Sequence, residues 1–382
     1  MLAFRIFIKI SLMNKYLLSF VIMIIAACSP IEEDQPSLVL FESGTDGYAC
    51  FRIPAIVNTG KTLLAFAEGR KKGCSDTGDI DLVLKRSNDG GKTWGPLQVV
   101  WDAGDDVAGN PAPVYDKKTK TVFLLSTWNL GSDHESRIID GTSKDTRRVF
   151  VLKSDDQGAS WSGAKEISND TKLDNWTWYA TGPVHGIQKQ KEPHKGRLII
   201  PCDHIEADTK HYYSHAIFSD DHGETWVLGG TTPQHQVNEC TVVELDDGRL
   251  MLNMRNYDRS KRARKISISE DGGESWSDIK ADLALPEPIC QAAILKSSAK
   301  IDGKTPILFL NPASPSGREK LTLKISYDEA KTWSDSLLIH SGPAAYSDLC
   351  NLKKDKTGCL YEAGENSPYE GIQYKSIKIP WK

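Results

Sequence analysis

The sequence predicts an all-β protein, a six-bladed β-propeller of four-stranded antiparallel blades, and three observations carry that expectation. One eight-letter unit recurs: SNDGGKTW at 87–94, SDDQGASW at 154–161, SDDHGETW at 219–226, SEDGGESW at 269–276 and a worn SYDEAKTW at 326–333. Each copy follows a short alternating apolar run (IDLVLKRS, RRVFVLKS, HYYSHAIFS, RKISIS, LTLKIS), which is how a strand with one buried face is written. The copies step by 67, 65, 50 and 57 residues, a period that suits one four-stranded sheet per unit. No helical periodicity of any length competes with this pattern.

The N-terminus stands apart from that fold. Residues 1–27 contain no Asp or Glu, carry Arg5, Lys9 and Lys15, and lead into Cys28 through the apolar run YLLSFVIMIIAAC at 16–28. They read as a signal peptide. The small residues before Cys28 resemble a bacterial lipoprotein box, in which Cys28 is lipidated and becomes the new N-terminus. Ordinary cleavage nearby is the alternative, and Met13 is a second candidate start. The expectation is an exported protein of the cell envelope, in the periplasm, on the cell surface or secreted, touching the membrane only through a lipid. Residues 28–37, with SPIEEDQPS, read as a short flexible tether. From Leu38 to Lys382, 345 residues at a mean step of about 60 accommodate five to six units, read here as one propeller with no second domain.

Composition narrows the function. Apolar residues make up 39% of the chain, enough for a good core, and the formal net charge is -4. Loss of residues 1–27 removes three positive charges and takes it to about -7. No basic stripe or tail survives, which excludes nucleic acid as the expected partner. Apart from Cys28, seven cysteines are scattered with no C-x-x-C spacing, so neither a zinc site nor a disulfide framework is indicated, although an exported chain has room for one or two bridges. There is no H-E-x-x-H, no Gly-rich phosphate loop and no G-x-S-x-G. The nine histidines lack ligand spacing, although His211 and His215 are four apart. No metal and no cofactor are expected.

The repeat is itself accounted for by folding. Its Ser and Asp can bond to nearby backbone as ST- and Asx-turns do, its Gly permits positive φ, and its Trp packs the hairpin. The unit resembles the Asp-box of sialidases, where it is scaffold on the rim away from the catalytic face. What that resemblance implies can be followed through the residues. A sialic acid carries a carboxylate on its anomeric carbon, and three guanidiniums are the natural clamp for it. FRIP at 51–54, NMRN at 253–256 and SPSGREKL at 314–321 offer Arg52, Arg255 and Arg318 in the family's order. A carboxylate nucleophile would meet an already anionic sugar, so a phenol activated by a carboxylate is the better attacker, and sialidases use tyrosine. AAYSDL at 344–349 resembles the nucleophile segment and offers Tyr346; VNECTVVEL at 237–245 resembles its partner segment and offers Glu239, with Glu244 nearby.

LLAFAEGRKKGCSDTGDIDLVLKRS at 63–87 resembles the family's first-blade loop, in which an Asp stands six residues after an Arg. That selects Asp76 as acid/base on a mobile loop, with a pKa that must rise by burial under substrate, and Arg70 for a ring hydroxyl. Asp79 and Asp81 are rivals, Asp81 more in keeping with a structural role. CLYEAGEN at 359–366 resembles the closing strand and makes Glu362 the counter-charge of Arg52. In GNPAPVYD at 109–116, Asn110 replaces the Asp that some relatives hold beside the N-acetyl group. DNWTWYATGPVHGIQ at 174–188 resembles a pocket-lining segment, with Val184 in place of a second Gly. There Trp176, Trp178 and Tyr179 fit either a substrate wall or the core. The resemblance implies a monomeric exo-α-sialidase that retains configuration through a sialyl-tyrosine, acting on sialylated glycoproteins, glycolipids or oligosaccharides. A trans-sialidase, including an intramolecular one, or a non-catalytic sialoglycan-binding propeller are the alternatives.

Overall fold

The computed structural model describes residues 36–379 apart from 302 and 354. The predicted signal peptide, Cys28 and most of the 28–37 tether lie outside the described residues. Among those residues the chain is built from 24 strands with two short helices, and no helix is long and apolar enough to cross a membrane.

After β1 (Leu38–Glu42), the strands fall into consecutive antiparallel runs. The first comprises β2 (Cys50–Asn58), β3 (Leu63–Arg70), β4 (Ile80–Ser87) and β5 (Gln98–Trp101). The second comprises β6 (Val107–Asp116), β7 (Thr121–Asn129), β8 (Arg148–Ser154) and β9 (Lys165–Glu166), joined to the first by a single parallel pair, Ile80 with Val107. The third contains β10 (Trp176–Thr181), the small β11 (Ile187–Gln188), β12 (Leu198–Glu206), β13 (Tyr212–Ser219) and β14 (Val227–Thr231). The fourth is β15 (Val237–Glu244), β16 (Leu250–Asn256), β17 (Ala263–Ser269) and β18 (Lys280–Pro286). The rest form one sheet: β19 (Ala293–Lys296), β20 (Ile307–Pro312), β21 (Glu319–Ser326), the long β22 (Asp335–Asn351), β23 (Lys356–Ala363) and β24 (Gly371–Lys378). β1 pairs with β24, so the two ends of the described chain share one sheet edge.

The eight-letter repeats occupy the turn after the third strand of a run, as their chemistry requires. In the first copy the Ser87 hydroxyl donates to Asp89 Oδ1 at 2.8 Å and accepts from the Gly91 N–H at 2.9 Å. The Asp89 carboxylate also accepts from the Thr93 hydroxyl at 2.6 Å and the Thr93 N–H at 3.0 Å. These bonds hold the Asp89 carboxyl down at about 2. The Ser-to-Asp bond recurs at 2.8 Å in all four other copies, including the worn one. The closing tryptophans reach across to other runs. Trp161 meets Phe66 and Trp226 meets Phe123, while Trp276 donates to the Gly230 carbonyl and Trp333 to Asp282. Trp94, from the first copy, packs edge-on against Tyr374 in the last strand at 5.1 Å. The scaffold role expected of the repeat is thus a set of bonds that fix each turn and staple neighbouring runs.

Asp271 accepts four such bonds, from Ser269, Glu274 and both donors of Ser275. Asp271→Ala should lower stability by about 1–3 kcal/mol, read as a shift of the urea midpoint with the site chemistry unchanged; an unmoved midpoint would deny the turn its structural role.

Candidate active site

The site is assembled at register slips in five strands. β2 slips register between Arg52 and Ala55, β6 between Gly109 and Ala112, β10 between Trp176 and Tyr179, β15 between Val237 and Cys240, and β22 between Ala344 and Ser347. A bulge re-aims the side chains it carries. The residues at these bulges include Arg52, Asn110, Trp178, Asn238, Glu239 and Tyr346, and all of them line one cavity of about 230 Å³. Ile53 and Asn110 adopt φ of 60° and 54° within their bulges. Such a conformation is costly for a β-branched residue and is held only where its surroundings enforce it. The enforcing group at Ile53 is Glu362, whose Oε1 accepts the Ile53 N–H at 2.9 Å.

Arg52, Arg255 and Arg318 line this cavity together. Arg52 donates to both oxygens of the fully buried Glu362 at 3.0 and 3.3 Å, the pairing the sequence suggested. Glu362 also accepts the Tyr346 N–H at 3.0 Å. Arg255 donates to Glu239 at 2.5 Å and to the Tyr346 phenol oxygen at 3.0 Å. Arg318 donates to the Tyr369 hydroxyl at 2.8 Å and the Ile289 carbonyl at 3.1 Å. Arg52 and Arg318 also lie within 5.5 Å of the Tyr346 ring centroid.

Tyr346 and Glu239 meet at 2.5 Å, the phenol donating to the carboxylate. Burial and the Glu239 charge push the Tyr346 phenol well above its ordinary pKa, while the three arginines pull the other way. At rest Tyr346 therefore keeps its phenolic proton. The rival Glu244 is elsewhere, paired with Lys189 at 3.1 Å.

Asp76 lies on the loop between β3 and β4, with its side chain 58% exposed. It contacts Arg70 at 2.7 Å and Arg52 at 3.7 Å. Burial alone would raise its pKa, but Arg70 and Arg52 outweigh it and hold the carboxyl below its usual value. The rise anticipated for an acid is consequently absent from the protein by itself. Asp79 and Asp81 do not line the cavity; Lys71 binds both at 3.2 Å, and the Tyr48 hydroxyl donates to Asp81 at 2.6 Å. The loop is anchored twice. Arg70 donates to the Cys74 carbonyl at 2.6 Å, and Cys74 forms a disulfide with Cys50, two residues before Arg52. The other five cysteines among the described residues are buried thiols.

Sequence reasoning missed several groups. Glu68 is buried beneath Arg70, accepting from it at 2.6 Å, and its other oxygen accepts the Asn110 N–H at 2.8 Å. A Cβ on Gly109 would stand 2.7 Å from that oxygen, so glycine is what lets Glu68 approach. Arg147 is buried, stacks over Trp178 at 3.9 Å and donates to Asn110 at 2.5 Å. Asp203 and Tyr257 also line the cavity. Of the three uncertain aromatics, Trp178 faces the cavity, whereas Trp176 and Tyr179 belong to the core. Val184 is core as well. His211 stacks on His235 and His215 pairs with His204; among the described residues no group of three or more His, Cys, Asp or Glu is placed to hold a metal ion.

The family model described as BNR repeat-like domain matches residues 61–359. A sialidase of Micromonospora viridifaciens is 32% identical over 351 residues, covering 89% of this chain and 53% of the relative. A sialidase of Bacteroides fragilis is 31% identical over 360 residues, covering 88% and 64%. The chain thus spans between about half and two thirds of the length of these two relatives. Among solved structures, the Hadza microbial sialidase Hz136 superposes with a TM-score of 0.81 at 29% identity, over 92% of this chain and 70% of that one.

Because Arg70 is the largest influence lowering the Asp76 pKa, Arg70→Gln should raise it, measured by carboxyl-carbon NMR titration. A depressed carboxyl contributes stability that is present above its unfolded pKa and lost as pH falls through the folded one. The variant should accordingly lose less stability on acidification than the wild type. An unmoved titration would remove Arg70 as the cause.

Proposed function

The chain belongs to the BNR-repeat sialidase family, and from that premise we propose that it is an exo-α-sialidase that hydrolyses terminal α-linked sialic acid and retains configuration through a covalent sialyl-tyrosine. The four-stranded runs, the β1–β24 pairing and the contact of Trp94 with Tyr374 support the six-bladed propeller that the repeat spacing predicts.

The observation that carries the catalytic reading is the 2.5 Å bond from the Tyr346 phenol to Glu239, with Arg255 touching both groups. In the proposed reaction, Arg52, Arg255 and Arg318 receive the sugar carboxylate and set the anomeric carbon over Tyr346. Glu239 takes the phenolic proton as the oxygen attacks. The bond to the leaving oxygen breaks as protonated Asp76 gives that oxygen its proton. In the second half, Asp76 takes a proton from water, which attacks the same carbon. The phenolate leaves and recovers its proton from Glu239, and every group returns to its starting state. Positive charge developing on the ring forms beside the bound carboxylate and the phenolate oxygen, so no further anion is needed.

Sialylated glycoproteins, glycolipids or oligosaccharides are the proposed substrates, acted on outside the cytosol by a monomer held through lipidated Cys28. Tyr346→Phe keeps the ring and removes the attacking oxygen, so hydrolysis of a 4-methylumbelliferyl α-sialoside should fall on the order of 10³-fold or more. Proton NMR of the wild-type reaction should show the α-anomer first. Equal rates in the two proteins, or the β-anomer first, would reject the sialyl-tyrosine; no release by the wild type would leave a binding propeller.

A further inference from the structure

Strands that carry the catalytic cavity reach a second one at their far ends. β2 offers Arg52 to the first and residues 56–58 to the second; β15 offers Glu239 to the first and residues 242–244 to the second. β22 does likewise, with Tyr346 and then residues 349–351. This second cavity is about 730 Å³ and mostly apolar, the size and character of a small-molecule site. The proposed reaction makes no use of it.

Its floor holds a prepared hydrogen-bonding group. Asp348 is fully buried and accepts the N–H groups of Ile56 at 2.8 Å, His185 at 3.0 Å and Leu349 at 2.8 Å. It also meets His185 Nδ1 at 2.6 Å. A carboxylate surrounded by donors only accepts, so Nδ1 carries the proton and the ring orientation is fixed. His185 lines the cavity and Asp348 does not, which turns the other ring edge, Nε2, toward the opening. His185 is 7% exposed, and among the described residues no protein atom bonds to Nε2. Buried polar atoms are nearly always bonded, so this one calls for an occupant. A hydroxyl suits it in either protonation state, because a hydroxyl both donates and accepts.

The mouth is cationic. Glu244, the one acid among the lining residues, is already engaged by Lys189 at 3.1 Å and by the Gln190 and Lys191 N–H groups. Lys296 is paired with Asp246 at 2.7 Å. Lys117 and Lys353 line the cavity and are exposed, and neither has an ion pair among the described residues. Gly186, beside His185, donates to the Pro113 carbonyl at 2.8 Å, which sets Pro113 level with the floor. Lys117 stands four residues farther along the chain, about 13 Å when extended. Floor and mouth are thus separated by apolar wall about as long as a ten-carbon chain.

We propose that this cavity is a second binding site, for an amphipathic carboxylic acid whose apolar body ends in a hydroxyl. The hydroxyl bonds to His185 Nε2, the body lies along the wall, and the carboxylate stays at the mouth with Lys117 and Lys353. Leaving a buried nitrogen unpaired costs more than losing a solvated ion pair, so the hydroxyl contributes more than the carboxylate. The site stands whether or not the chain is a sialidase.

The test titrates the purified chain calorimetrically with 10-hydroxydecanoate, decanoate and 1,10-decanediol at low salt. The hydroxy acid should bind about tenfold or more tighter than decanoate and about two- to fivefold tighter than the diol. His185→Phe should reduce its affinity to that of decanoate, and the double variant Lys117→Ala, Lys353→Ala to that of the diol. Absence of binding by the hydroxy acid, equal affinity for all three ligands, or affinities that neither variant changes overturns the proposal. Should His185→Phe lose its cooperative thermal transition, nitrogen-15 NMR of the wild-type imidazoles replaces it. The Nε2 resonance of His185 should then move with 10-hydroxydecanoate and not with decanoate; an unmoved resonance overturns the assignment.

Discussion

Glu362 is the carboxylate on which the site depends. It is fully buried and accepts from two nitrogens of Arg52 and from the backbone N–H groups of Ile53 and Tyr346. A buried charge is tolerable only when paired and saturated with hydrogen bonds, and removing one partner leaves the other strongly destabilising. Here the saturation comes from β2 and β22, which lie far apart in sequence. The same carboxylate therefore neutralises one arm of the cationic cradle, pins the strained backbone beside it and fixes the residue carrying the phenol. Joining the beginning of the chain to its end and building the site are one structural event. The pairing of β1 with β24 and the packing of Trp94 against Tyr374 tie the same two regions together farther out.

The bulges explain how a regular sheet can present so many functional groups to one point. An unbroken strand alternates its side chains between faces and offers none along its own axis. Slipping the register within β2, β6, β10, β15 and β22 turns one or two residues per strand into the shared cavity, while the residues that follow each slip are largely core. Rigidity is inherited from the hydrophobic layers between runs. The repeats contribute at a distance, by fixing the turns from which those layers hang.

Much of this was legible in the sequence because the groups concerned are local strings. The repeat spacing and the alternating runs announce the strands, and FRIP, VNECTVVEL and AAYSDL mark positions that the fold brings to one cavity. What stayed hidden is what depends on three-dimensional neighbours. Arg147 looks like an ordinary strand-edge arginine beside Arg148, yet only the first is buried. Asp203 follows a run of apolar letters with nothing to say that its oxygens lack partners. Scattered cysteines gave no sign that Cys50 and Cys74 meet, since the loop that folds one onto the other is held by Arg70. The three aromatics at 176–179 could not be sorted by alternation, because the strand slips register between Trp176 and Tyr179, and that slip turns Trp178 outward to the cavity.

The contrast between Tyr346 and Asp76 follows from where each is mounted. Tyr346 and Glu239 sit at bulges of strands whose flanks are core, and their 2.5 Å bond needs no rearrangement to transfer a proton. Asp76 is on an exposed loop, and two guanidiniums keep it ionised. On the proposed reading it must nonetheless deliver a proton. The substrate itself can supply the change: its carboxylate would occupy the Arg52 charge that now lowers the Asp76 pKa, and its ring would cover a side chain that is now wet. Both effects favour the neutral acid. Acid strength then becomes a consequence of binding, present when a sialoside is in place and absent when it is not. The disulfide at Cys74 and the Arg70 bond to its carbonyl limit how far the loop can move during that change. A catalytic acid can thus be exposed at rest without being misplaced in the complex.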